Sequence, residues 1–174
     1  MSNALTSASR KKRDTTNLDT TLIDPGLRRR ITRARVGHLA TSDGTQPSVV
    51  PVCFVLVGDR VYQAIDAKPK SVAPGRLRRV KNIRANPKAA ILVDQYLEDW
   101  RRLWWVLLQG RARLVTQGAE QQRAIAALRR KYPQYRTTTP LMSDALVIAL
   151  DVGRLRHWQA SRPVRRGEAR RRPA

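Results

Sequence analysis

From Val36 onward, apolar and polar positions mostly alternate with a period of two, and helical spacing interrupts that pattern twice. Val36 to Thr41 and Pro47 to Val57 are β-rich runs separated by Ser42-Asp43-Gly44-Thr45, where Asp-Gly signals a hairpin. Gly58-Asp59 then joins the second run to Arg60 to Asp66, in which Val61, Gln63 and Ile65 face one way and Tyr62 and Ala64 the other. Ser71 or Pro74 opens a helix with an apolar stripe of Leu77, Val80 and Ile83, leaving Arg78, Lys81 and Arg84 outside it, and Asn86-Pro87 stops it. Strand pattern resumes at Ala89 to Asp94 and Leu103 to Val115, the latter holding adjacent Trp104 and Trp105, and Gly110, which predicts a bulge or a close approach. Glu120 to Tyr132 is a second helix with Ile125, Leu128 and Tyr132 on one side, closed by Pro133. A last strand runs from about Ala145 to Asp151, with Leu155 to Gln159 as an extension. Six strands with short hairpins and no regular βα alternation predict a mainly β, α+β fold built as an antiparallel barrel, with two to three flanking helices.

The ends lack such periodicity. Residues 1–24 are polar and then charged, and residues 162–174 are rich in Arg, Pro and Gly, so both are expected to be disordered tails around a domain at 25–161. Across the 174 residues, 35 Lys and Arg face 13 Asp and Glu, a formal charge of +22. The tails do not explain the excess. Residues 1–30 carry +4 and residues 162–174 carry +5, which leaves +13 on residues 31–161. Residues 68–88 are the sharpest part of this, holding Lys68, Lys70, Arg76, Arg78, Arg79, Lys81, Arg84 and Lys88 without an acid. A single cysteine, Cys53, excludes an internal disulfide and suggests a reducing compartment. No apolar stretch is long enough to span a membrane, so a cytoplasmic protein without a membrane partner is the expectation.

Conventional catalytic and metal motifs are missing: there is no Cys-x-x-Cys, His-Glu-x-x-His, Gly-x-Ser-x-Gly, Walker loop or Gly-x-Gly-x-x-Gly. His38 and His157 are the only histidines and have no metal spacing, so each reads as an ordinary hydrogen-bonded or exposed side chain. Asp94, Glu98 and Asp99 lie in a turn-like stretch with Tyr96 and Trp100, where capping is their ordinary task. What remains is a basic cluster near aromatic strands. An anionic cofactor brings its own chemistry and asks for phosphate contacts, a stacking wall and a dry pocket. Residues 68–81 offer Arg forks, Lys charges and a helix start for a phosphate, and a solvated basic helix face stands equally open.

Four stretches, in order, resemble the pyridoxamine 5′-phosphate oxidase-like flavoproteins: Ala34-Arg35-Val36-Gly37-His38-Leu39-Ala40-Thr41, Gln46 to Val52, Arg78 to Pro87, and Gly110-Arg111-Ala112. Asp66-Ala67-Lys68-Pro69-Lys70, Asp99-Trp100 and Leu103-Trp104-Trp105-Val106 resemble the branch that uses the deazaflavin coenzyme F420. The resemblance covers roughly residues 25–160. It implies an FMN-binding-like split β-barrel, a homodimer with two cofactor sites at the subunit interface, and F420, or FMN, as cofactor. By position it implies that Val50, Pro51 and Val52 line the ring and that Arg78 and Arg79 hold the phosphate, helped by Lys81. Lys68 and Lys70, in a longer connection, would suit a more extended anion such as a polyglutamate tail; Trp105 would stand at a ring contact, and Trp158 would come from the second subunit. Phe54 replaces a basic residue of the oxidases, and their C-terminal substrate-holding Arg and His have no match, which argues against pyridoxamine phosphate as substrate.

The resulting expectation is an oxidoreductase that transfers hydride from the reduced cofactor to a small organic substrate, with no side chain as hydride donor and with solvent or a hydroxyl such as Tyr62 as proton source. The alternative is a protein that binds or carries a flavin, deazaflavin or haem without turnover. Nucleic-acid binding through the Arg face and the tails is a third reading, one that would be steeply salt-dependent, and the leading expectation includes no specific nucleic-acid partner.

Overall fold

A computed structural model describes residues 23–66 and 73–160 of the chain. Residues 1–22 of the expected N-terminal tail, the expected C-terminal tail, and Lys68 and Lys70 lie outside the described residues, while Asp24, counted with the first tail, is part of the fold. Three α-helices and seven strands follow in the order α1 (Pro25–Arg33), β1 (Gly37–Ser42), β2 (Pro47–Val52), β3 (Val55–Val57), β4 (Arg60–Ala64), α2 (Arg78–Ala85), β5 (Lys88–Gln95), β6 (Trp104–Val115), α3 (Gly118–Lys131) and β7 (Val147–Gln159). The strands form one antiparallel sheet in the order β2–β1–β5–β6–β7–β4–β3. Among the described residues no helix is long and apolar enough to cross a membrane.

Local chemistry explains most element ends. Asp24 caps α1 by accepting from the Leu27 amide at 3.0 Å, and Pro25 pre-sets the first turn. The β1–β2 hairpin is the expected Asp-Gly turn, with the Asp43 carboxylate accepting from the Thr45 amide, the Thr45 hydroxyl and the Gln46 amide. The β3–β4 hairpin turns on Gly58, whose φ of +57° disfavours a side chain. Gly110 satisfies both sequence expectations. The β6–β7 register shifts between Gln109 and Gly110, and a Cβ at Gly110 would collide with the Asp151 carbonyl oxygen.

The strand count is seven rather than the expected six, because Pro47 to Val57 is two strands. The break at Cys53 and Phe54 is imposed from α3. The Tyr132 hydroxyl accepts from the Phe54 amide at 3.0 Å and donates toward the Phe54 and Arg35 carbonyls at 2.9 and 2.8 Å, so Phe54 has its backbone partners without a neighbouring strand. The Phe54 side chain is fully buried, and the Lys131 ammonium sits 4.0 Å from its ring centre. Since β2 and β3 occupy opposite ends of the sheet yet only two residues separate them, this bend carries the chain across the opening of a curled sheet.

Alternation then sorts the side chains into two cores. Inside the barrel, Leu39, Ile91, Val93, Val106 and Leu108 meet Ile31 of α1 and Val80 and Ile83 of α2. On the other side of β4 and β7, Tyr62, Val147 and Ala149 pack under Ile125 and Leu128 of α3. Helices α1 and α2 thus lend their apolar faces to the barrel while their cations remain at its surface.

Candidate functional site

Helix α2 lies against β1, where Asn82 donates to the Thr41 hydroxyl at 3.2 Å. Thr41 is paired with Ser48 of β2, so Val50 to Val52 begin only two positions farther along the neighbouring strand. The expected ring wall therefore begins two positions, about 7 Å at the rise of a strand, from the place where Asn82 of α2 touches β1. Within the wall, Val50 and Val52 turn toward the core and Pro51 is exposed. Beyond β2 the sheet has no further strand among the described residues, so one side of its backbone is open to a ligand.

The three cations of α2 differ. Arg78 is exposed and reaches Asp43 at 3.6 Å, and Lys81 is exposed on the next turn. Arg79 is half-buried, and its Nε is buried without a hydrogen-bond partner. Burial pulls the Arg79 guanidinium below its ordinary value, while the nearby Asp66 carboxylate acts in the opposite direction. A buried, unanswered guanidinium donor at a helix start suits an anion such as a phosphate, so the residues present fit the cofactor that the resemblance implies.

Trp105 and Trp158 stand elsewhere. They are directly paired across β6 and β7, and Trp105 is also paired with Asp94 of β5. Trp104 faces the core and Trp105 does not, as strand alternation requires. Ala89, opposite Thr41, is five residues from Asp94 along β5, roughly 17 Å at the strand rise. Within one chain the tryptophan pair and the α2 cations thus form separate groups. Tyr62 belongs to neither; its hydroxyl donates to Glu120 at 2.9 Å beneath α3.

The outer face of the sheet carries Val49 and Pro51 on β2, His38 on β1, Leu92 on β5, Trp105 and Leu107 on β6 and Trp158 on β7. The registers and alternation put all of these on one side. Val49 is 62% and Trp158 47% exposed, so this face offers uncovered apolar surface across several strands.

A third feature was not foreseen. Where α1 ends against the starts of β1 and β6 and the ends of β5 and β7, a cleft of about 580 Å³ is lined by Arg30, Arg33, Arg35, Arg101, Arg102 and His38, beside Trp104. His38 Nδ1 lies 3.5 Å from Asp94 Oδ1, and Asp99 caps the turn at Trp100–Arg102 through the Arg101 amide, the task expected of it. Asp24-Pro25 was the available signal for α1, a cap followed by a proline, but Leu27 and Ile31 alone are too sparse a stripe among arginines to mark a helix by periodicity.

A curled antiparallel sheet with three helices, one of them cationic and packed on β1, defines the half-barrel class to which this protein belongs. Residues 23–159 match the family described as pyridoxamine 5′-phosphate oxidase, and the chain belongs to that family. No curated protein matches it. Solved structures similar to it include the conserved hypothetical protein Rv2991 from Mycobacterium tuberculosis (TM-score 0.63, 15% identity, 84% of this chain and 91% of that one). Others are HutZ, the haem storage protein from Vibrio cholerae (TM-score 0.61, 15% identity, 78% and 93%), and an FAD-binding protein from Mesorhizobium loti (TM-score 0.55, 19% identity, 74% and 87%). At these identities the likeness is one of fold.

Proposed function

We propose that this protein is an oxidoreductase that binds coenzyme F420, or FMN in its place, where two copies of the chain meet, and delivers hydride to a small organic substrate. The observation that carries the reading is the half-buried Arg79, with Nε unanswered, on a helix packed against β1, the strand next to the edge strand β2. Arg79, Arg78 and Lys81 hold the cofactor phosphate, and Val50, Pro51 and Val52 form the wall against its ring. The bound ring supplies the hydride chemistry; the chain binds, orients and excludes water. Because the Trp105–Trp158 pair is distant from α2 within a chain, these tryptophans belong to the site of the other copy, which also covers the apolar outer face.

Two measurements test this. Titration with F420 and with FMN, followed by tryptophan fluorescence, gives the cofactor; micromolar affinity for FMN with no response to F420 overturns the deazaflavin preference. Arg79→Ala then costs about 1.5 to 3 kcal/mol of cofactor binding, the scale of a charged hydrogen bond, and unchanged affinity removes Arg79 from the site. The mass in solution checks the dimer, for which a monomer at working concentration is the contrary result.

A second reading is carriage without turnover of a flavin, deazaflavin or haem. It is favoured by the fold's likeness to an FAD-binding protein and to a haem storage protein. Tight binding without oxidation of reduced cofactor across a broad substrate panel would select it.

A further inference from the structure

We propose that the arginine-lined cleft at the α1 end of the barrel is a second binding site, specific for a small, multiply charged carboxylate or phosphoryl anion and separate from the α2 site. Three observations converge on it. The first is shape: about 580 Å³ is the size of a small-molecule pocket, and its wall combines apolar Ala34, Val36, Leu103 and Trp104 with charged side chains.

The second is charge. Five guanidinium groups line the cleft, and Asp94 is the one carboxylate in its wall. A concave surface lined by one sign of charge concentrates its field on whatever enters. Several arginines elsewhere find acids, whereas Arg84 and Arg129 are held by the Gly75 and Leu141 carbonyls. Arg28 pairs with Asp59, Arg60 with Asp151, Arg113 with Glu120 and Asp151, and Arg78 with Asp43. In the cleft Arg101 does so with Asp99, whereas no carboxylate among the described residues pairs with Arg30, Arg33, Arg35 or Arg102.

The third is orientation without neutralisation. Arg30 donates to the neutral Gln159 Oε1 at 2.9 Å and lies 5.8 Å from the Trp104 ring centre. Arg35 donates to the Lys131 carbonyl at 2.5 Å and stacks 4.4 Å from the Tyr132 ring centre. Both heads are thus held in place with their charge unmatched, which is how a protein prepares guanidinium groups for an incoming anion. The dipole of α1 favours cations at its C-terminal end and accounts for Arg30 and Arg33. It does not account for Arg35, Arg101 and Arg102, which arrive from the following connection and from the turn before β6.

Within one chain the two sites are distinct. The cleft contains His38 and Asp94, near the start of β1 and the end of β5, whereas α2 meets Thr41 and the hairpin after β1. The separation makes the test selective. Citrate and pyrophosphate serve as carboxylate and phosphoryl probes, titrated calorimetrically into the full chain at low and physiological salt. We expect saturable binding at one site per chain, at least tenfold weaker in Arg33→Ala/Arg102→Ala. The Lys/Lys pair at these positions should fall between, since it keeps the charges and loses the forks. Arg78→Ala/Lys81→Ala should bind both probes as the parent does, and saturation with F420 or FMN should leave probe binding unchanged. The tighter probe names the anion class, and either result supports the site. Absence of saturable binding by both probes, equal weakening by the two Ala pairs, or displacement of the probe by cofactor would overturn it. Melting curves confirm that the variants are folded, and failure of the Ala pair to fold leaves the Lys/Lys pair and the cofactor competition to decide.

Discussion

Two groups of arginines in this molecule behave in opposite ways. On the α3 side, Arg113 grips Glu120 at 2.6 and 2.9 Å and also reaches Asp151 at 3.3 Å, while Arg60 holds Asp151 at 2.5 Å and Tyr62 donates to Glu120. At the α1 end, Arg30 and Arg35 are steered by an amide, a carbonyl and aromatic rings, and no acid answers them among the described residues. A chain with 13 acids for 35 cations cannot match every positive charge, so where the acids stand is informative. Glu120 and Asp151 stand where α3 is fastened to the sheet. One set of guanidinium groups without an acid lines a concavity. The same residue type is thus a fastener in one region and a receptor in the other, and the difference lies in the partner rather than in the arginine.

The comparison is broken most severely at Gly110. Its missing Cβ lets the Asp151 carbonyl approach, and that approach helps to place the carboxylate that Arg60 and Arg113 share. Gly110→Ala should cost about 3 kcal/mol, the upper range for overpacking, measured as the midpoint shift in urea unfolding. Tyr132→Phe comes next: it leaves the ring beneath Arg35 but removes the hydroxyl that serves Phe54 and Arg35, at about 2 kcal/mol. Amide exchange at Phe54 should rise with it.

Glu120→Gln weakens the matched group and should cost about 1.5 kcal/mol at neutral pH. The Arg113 guanidinium, then the Tyr62 hydroxyl, hold the Glu120 carboxyl at about 2, against an ordinary 4.5. A lowered carboxyl favours the fold above pH 4.5 and loses that contribution as pH falls through about 2, so the gap between parent and variant should close in that window. Beside the unmatched group the slope keeps its sign, but here the fold penalises the charged form instead of favouring it. Burial first, and then Arg35, lower the Lys131 ammonium from 10.5 to about 8, so between these values the unfolded chain binds the extra proton and stability rises with pH. Lys131→Met should flatten that rise. Arg33→Ala should be the smallest change, within about 0.5 kcal/mol of the parent in stability, as expected for an exposed side chain without a structural partner. A large loss there would make Arg33 a fastener after all.

What could be read from the sequence follows the range of the forces involved. The hairpins at Asp43-Gly44 and Gly58-Asp59, the special position of Gly110 and the opposite faces of Trp104 and Trp105 are set by residues close in the chain, and each was legible. The break in Pro47 to Val57 was not, because the hydroxyl that creates it comes from Tyr132, 78 residues beyond Phe54. The α2 cations were found as a run of charge, but only the fold distinguishes exposed Arg78 and Lys81 from half-buried Arg79. The arginine cleft was hidden for a similar reason. Its charges come from residues 30–35 and 101–102, far apart in the chain, and Arg30 had been summed with the N-terminal residues.

The sheet order also fixes a sequence of events in time. β4 pairs on one side with β3, its neighbour in the chain, and on the other with β7, where Arg60 meets Asp151 across 91 positions. During synthesis from the N-terminus, β1, β2, β5 and β6 have all their mutual partners before the chain reaches Val147. The β3–β4 hairpin must then wait with an unpaired edge until β7 emerges to join it to β6. Closure of the barrel therefore waits for β7, the last strand of the described domain to be made, and a chain cut short before Val147 would keep β4 and β6 with unpaired edges.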